Sequence, residues 1–298
     1  MSLAAQVLLG LLAALALFYI WRWVAIERAR KSGEPRAPGI VRPAIGFVTN
    51  FFDTLGVGSF APTTAIFKLL KLVPDEKIPG SLNSGHALPT VAQALIFIAA
   101  VTVDPLTLVL MVAAAVVGAF FGAGIVSRLP RRAIQVGMGV ALAIAALLYV
   151  LANLGLIPAG GDAVALRGGV LIFAVAVNLV LGALMTLGVG LYAPCLILVS
   201  MLGMNPIAAF PIMMGSCAFL MPVAGLRFVK AATYDARAAI GLAIGGIPGV
   251  LIAALIVKSL PMETLRWLVV VVVLYAAIAM LNAARKSSAA PTDSTKPG

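Results

Sequence analysis

Apolar runs of about 20 residues, each long enough to cross a hydrocarbon core of about 30 Å, recur along this chain from Leu3 almost to Leu281. In lipid every backbone N–H and C=O must find its partner within the protein, which leaves helices or a closed barrel; runs of this length are helical. Apolar residues fill 62% of the 298 positions and charged residues only 10%, and no stretch between the runs is long enough for a soluble domain. The expected class is an all-α polytopic membrane protein.

The net charge of +11 comes from Lys and Arg in the short connections, where they act as topology signals. No basic stretch is interleaved with aromatics, so nucleic acid is not an expected partner. Cys195 and Cys217 both lie inside apolar runs, without a CxxC motif or a disulfide framework, and no metal or cofactor is expected. Leu3 to Val24 lacks a basic start and a small-residue cleavage site, and Arg28, Arg30 and Lys31 follow it. It reads as an uncleaved, extra transmembrane helix.

The chain also repeats itself. Thr54-Leu55-Gly56-Val57-Gly58 returns as Thr186-Leu187-Gly188-Val189-Gly190, and Ala61-Pro62 returns in register as Ala193-Pro194. After one residue of slippage, Ala87, Leu95, Phe97, Thr102 and Asp104 match Ala218, Leu226, Phe228, Thr233 and Asp235; Leu129-Pro130 matches Leu260-Pro261. The expected organisation is an added helix and basic cytoplasmic linker (1–42), a first repeat (43–154), a linker (155–166), a second repeat (167–282) and a disordered tail (283–298) rich in Ser, Ala, Pro and Thr. Each repeat reads as one glycine-interrupted segment followed by three ordinary spans, the first of them Ser81 to Val101.

Charge distinguishes two topologies. If the interrupted segments cross the membrane, basic residues divide only weakly, 12 on one side against 8 on the other. If Arg42 to Leu70 and Arg167 to Leu202 are re-entrant hairpins, nearly all of them gather on one side and only Arg167, Lys258 and Arg266 remain opposite. The positive-inside rule favours the second arrangement, with three crossings per repeat and the two halves inverted.

Glycines at 56, 58, 188 and 190 free backbone groups from the helical ladder, and in lipid such irregularity persists only where it is buried or faces a watery cavity. Pro62 and Pro194 then open second half-helices, with Ser59 as a cap, and their N-termini meet near the midplane as an anion site. Thr54 and Thr186 are symmetry mates that could each donate one hydrogen bond to an oxyanion, or bond back to their own helices. Ser59, Tyr192 and Cys195 are further polar groups near the tips. Asp53 lies deep in an apolar segment, and its repeat mate is Met185; a carboxylate there opposes an anion unless protonated, which makes it a proton-coupling candidate. His86, the sole histidine, is a second such candidate or a structural hydrogen-bonding group.

The duplicated Thr-Leu-Gly-Val-Gly with Ala-Pro, the repeat of about 130 residues and the total size resemble the sulfite exporter TauE/SafE family of permeases, over about Pro43 to Asn282. The resemblance implies transport of sulfite, sulfonates or related small anions across the bacterial cytoplasmic membrane, and it places Gly56, Gly58, Pro62, Gly188, Gly190 and Pro194 in the family's characteristic regions. The chain lacks the third consecutive glycine of the commoner form after Gly58 and Gly190.

A secondary carrier exporting a small anion is the leading expectation. No Walker A pattern is present in the sequence to support ATP-driven transport. An anion channel would use the same residues. An intramembrane enzyme would need clustered His, Glu, Asp or Cys, which one histidine and one deep aspartate do not supply. The small-residue helix faces would permit a homodimer in the bilayer.

Overall fold

The computed structural model describes residues 3–30, 37–156, 161–188, 190–256 and 262–289. Val189, Lys31, Lys258, Leu260, Pro261 and the tail beyond 289, all used in the sequence reading, lie outside the described residues.

Among the described residues the chain is almost wholly helical. The elements are α1 (Leu3–Ala29), α2 (Val41–Thr54), α3 (Phe60–Leu70), α4 (Ile78–Gly85), α5 (Ala87–Ala100), α6 (Pro105–Val126), α7 (Arg131–Asn153), α8 (Gly168–Met185), α9 (Tyr192–Met201), α10 (Pro206–Ala231), α11 (Ala236–Ile256) and α12 (Met262–Ala289). Six of them are long and apolar enough to cross a membrane: α1, α6, α7, α8, α10 and α11. This is a multi-pass membrane protein.

Two differences from the sequence reading have local causes. The expected single span Ser81–Val101 is two helices, α4 and α5, with His86 at the break. Pro89 has no N–H to offer the Gly85 carbonyl one turn back, so the ladder is interrupted there. Residues 283–289, expected to belong to a disordered tail, are the end of α12.

Glycine sets how the helices pack. A Cβ on Gly46 would meet the Leu242 backbone, one on Gly245 the Pro43 carbonyl, and one on Gly249 the Phe47 carbonyl. From Arg42–Gly241 through Pro43–Gly245 to Phe47–Gly249 the contacts climb together along both chains, so α2 and α11 run parallel in backbone contact. The other half repeats this pairing. Gly118 touches Leu179, Gly122 touches Ala183 and Gly182 touches Ala115, which places α6 parallel to α8. The first half-helix of each glycine-interrupted segment is therefore packed on the second ordinary span of the other repeat, α2 on α11 and α8 on α6.

Each pair of half-helices returns to the end from which it sets out. Arg42, at the start of α2, donates to the Leu72 carbonyl just past α3 at 3.4 Å. The Asn205 N–H, just past α9, donates to the Ala163 carbonyl at 2.7 Å, shortly before α8. The two pairs open at opposite ends of α6. Lys68 and Arg131, which bracket Asp75, mark the C-terminal end of α6 as the opening of α2–α3. Arg167 on Asp104 marks its N-terminal end as the opening of α8–α9.

Helix α1 lies against this core along one side. Tyr19 donates to the Ser84 carbonyl at 2.9 Å, and Trp23 Nε1 donates to the Tyr234 hydroxyl at 2.9 Å. Tyr234 in turn donates to Glu27 at 2.7 Å.

Candidate functional site

The half-helices end in the same way in both repeats. At the first tip the N–H groups of Leu55 and Gly56 close onto the carbonyls of Phe52 and Asp53 at 3.1 and 2.9 Å. At the second, Leu187 and Gly188 close onto Leu184 and Met185 at 3.0 and 2.9 Å. Gly56 and Gly188 then take φ of +88° and +96°, a left-handed turn that side chains resist. From there the chain reverses into α3 and α9, with Pro62 and Pro194 each the third residue of its helix.

Both reversals meet at one small cavity. Gly58, Ser59 and Phe60 line it from the first repeat, and Gly190, Leu191 and Tyr192 from the second. Asp53, Thr90, Met185, Cys217 and Met221 complete the wall. Its volume is about 10 Å³, room for about one water. The N-termini of α3 and α9 therefore end at the same point, and the amides of a first helical turn have no intrahelical acceptor. Such groups and the aligned dipoles favour negative charge.

The two halves of the wall differ in chemistry although they are related by the repeat. Asp53 corresponds to Met185, Ser59 to Leu191, Phe60 to Tyr192 and Thr90 to Met221. The first repeat supplies a carboxylate and two hydroxyls. The second supplies two thioethers, a leucine and the Tyr192 phenol, with Cys217 Sγ 3.4 Å from Met185 Sδ.

A buried hydrogen-bonded chain spans this boundary. Gln93 Nε2 donates to Asp53 Oδ2 at 2.8 Å and to Thr54 Oγ1 at 3.0 Å, while Gln93 Oε1 accepts from the Tyr192 hydroxyl at 2.5 Å. Ser59 faces the Asp53 carboxylate through its hydroxyl and its N–H, so it serves Asp53 and makes no side-chain cap on α3. That corrects the expected capping role.

Gly58, Ser59, Gly190 and Asp53 line the cavity as the sequence suggests. Thr54 and Thr186 do not: their hydroxyls donate to Asn50 O at 2.8 Å and Ala183 O at 2.7 Å, so each proton is held by its own helix. Gly56 faces the Phe210 ring and Gly188 the Met138 and Leu82 side chains, which gives both a turn-forming role. Cys195 is buried one turn farther along α9, and Cys217 takes the place on the wall.

His86 lies outside the wall too. Its Nδ1 sits 3.1 Å from Asn50 Oδ1 and its Nε2 3.1 Å from Thr63 Oγ1, which clamps α2 to α3. The sequence reading missed Gln93, Thr90 and Met221. Gln93 did leave a signal, as the only amide in the apolar run Ala87–Ala100.

Compared with known proteins, the sequence profile of the family described as Sulfite exporter TauE/SafE matches residues 1–149 and 170–298. The match takes in the first helix, which the sequence reading had treated as an addition. No curated protein and no solved structure is similar enough to match.

Proposed function

Because the chain belongs to the sulfite exporter TauE/SafE family of membrane transporters, we propose that it is a secondary carrier exporting small organic or sulfur-containing anions across a bacterial cytoplasmic membrane, coupled to protons. The observation that carries this reading is the meeting of the α3 and α9 N-termini, one from each repeat, at the cavity beside Asp53. The opposed openings of the two glycine-broken pairs support an inverted repeat with its site between the tips. Arg42, Lys68, Arg131 and Arg227 share one end of the molecule, which supports placing that end in the cytoplasm.

Coupling follows from charge. An anion entering beside an ionised Asp53 meets repulsion in a medium of low dielectric, and one entering with a proton does not. Anion and proton therefore bind together and leave together, and export in this mode runs down the anion's own outward gradient, since an inward proton gradient would carry the pair inward. Space for one water is too little for any of these anions, so this conformation is closed and the tips must part to load the site. The thioether half of the wall favours an anion with an apolar portion, a sulfonate over bare sulfite.

The test is uptake of labelled sulfite, sulfonates and carboxylates into proteoliposomes, with and without a proton gradient. Saturable, gradient-dependent uptake with counterflow is expected. If no anion enters faster than into empty liposomes, the reading is lost; discrete single-channel currents would replace the carrier by a channel.

A further inference from the structure

At the end of the molecule where α6 and α10 finish, these two helices and α1 enclose a groove of about 720 Å³ that plays no part in the cavity between the tips. Its outer rim carries Arg128, Arg227 and Lys230, beside Ser127, whose hydroxyl donates to the Gly124 carbonyl at 3.3 Å. Its inner wall is apolar, formed by Leu15 and Phe18 of α1 and by Val223 and Leu226 of α10.

The three cations stand apart from their neighbours. At the same end Arg30 pairs with Glu27 at 2.7 Å, Lys68 with Asp75 at 2.6 Å, and Arg131 approaches Asp75 and Glu76 at 3.7 and 3.5 Å. Among the described residues no carboxylate pairs with Arg128, Arg227 or Lys230. Arg227 is nevertheless held in place. Its guanidinium lies 3.7 Å over the Phe120 ring, and it occupies room that Gly124 leaves open, where a Cβ would strike Nη1. A guanidinium stacked on one face still presents its edge, and that edge matches two oxygens of a phosphate.

We propose that this groove binds an anionic phospholipid, with its phosphate among Arg227, Arg128 and Lys230 and an acyl chain along the apolar wall formed by α1 and α10. Charge complementarity chooses the headgroup: three unpaired cations in one rim attract an anionic lipid and gain little from a zwitterionic one. The apolar wall chooses a lipid over a free anion, since a free phosphate would leave Phe18 and Leu226 uncovered. The lipid lies against both α1 and the repeat core, so it also fastens the first helix to the rest.

The full-length protein in detergent would be titrated with phosphatidylglycerol, with phosphatidylcholine of the same chain length, and with inorganic phosphate. Bound lipid is read by native mass spectrometry and by the midpoint of thermal unfolding. Phosphatidylglycerol alone should bind and raise the midpoint. Removing two cations in Arg227→Gln/Lys230→Gln should weaken it about thirtyfold. Should Arg227→Gln fold poorly, the exposed pair Arg128→Gln/Lys230→Gln serves instead, with a similar loss expected. Equal binding of phosphatidylcholine, an equal effect of inorganic phosphate, or unchanged affinity in the double variants would overturn the proposal.

Discussion

The hydroxyl of Tyr192 on α9 donates to Gln93 Oε1 on α5 at 2.5 Å, tying the tip of the second repeat to a helix of the first. Since the same Gln93 amide donates to Asp53 through Nε2, one side chain connects the carboxylate to both repeats. Any parting of the tips must stretch or exchange this link.

Tyr192→Phe removes the donor and leaves a buried amide oxygen without its partner. Loss of a partner in such a site costs about 1–3 kcal/mol. Thermal unfolding in detergent should show a lower midpoint for Tyr192→Phe, and an unchanged midpoint would mean that the link contributes nothing to the closed form.

Asp53→Asn keeps the shape of the wall and removes the carboxylate proposed above to take up a proton. Uptake into proteoliposomes should then lose its dependence on a proton gradient, while the variant still binds anion. A gradient response equal to that of the parent protein would confine Asp53 to a structural role beside Ser59 and Gln93.

Gly118→Ala drives a methyl group into the Leu179 carbonyl at the α6–α8 contact. Overpacking of this kind costs about 1–3 kcal/mol. Gly10→Ala on α1 meets nothing within 4 Å and should stay within about 0.5 kcal/mol of the parent. The two variants should therefore separate clearly in unfolding midpoint, and equal midpoints would contradict the backbone contact.

Asp104, at the start of α6, accepts from both Arg167 Nη1 and Nη2 at 2.7 Å and also caps the Thr107 N–H at 2.9 Å. The Arg167 guanidinium, joined by Thr107, holds its carboxyl well below the usual carboxylate range. A depressed value means that the folded protein keeps this charge where the unfolded chain binds a proton. Its contribution is fully present above about pH 4, the value of an unperturbed aspartate, and fades as pH falls through the depressed one. Asp104→Asn should lower the unfolding midpoint at pH 7 and narrow its gap from the parent in strong acid. A gap that is constant with pH would refute the linkage.

Much of the architecture was legible because lipid leaves the backbone so few choices. Helix lengths follow from apolar runs, and the two tips follow from duplicated glycines whose φ values a side chain would resist. What the sequence concealed depends on contacts between distant segments. Nothing near Thr54 or Thr186 reveals that their hydroxyls turn back onto Asn50 and Ala183, since a threonine in an apolar helix can bond either way. Cys195 lies beside the tip in sequence, yet Cys217, from another helix, reaches the wall. Gln93 joins residues 40 and 99 positions away, a relation no local pattern carries.

The exchange of partners between repeats also governs how this chain can be made. Helix α2 emerges from the ribosome early, but its backbone partner α11 follows roughly 190 residues later, about 10–40 seconds at ~5–20 residues per second. Throughout that interval the face of α2 that carries Gly46 and Asn50 has no α11 to cover it. The nascent first repeat is thus an unfinished product in the membrane, and cutting the gene between the repeats should yield two fragments that mature only when translated together.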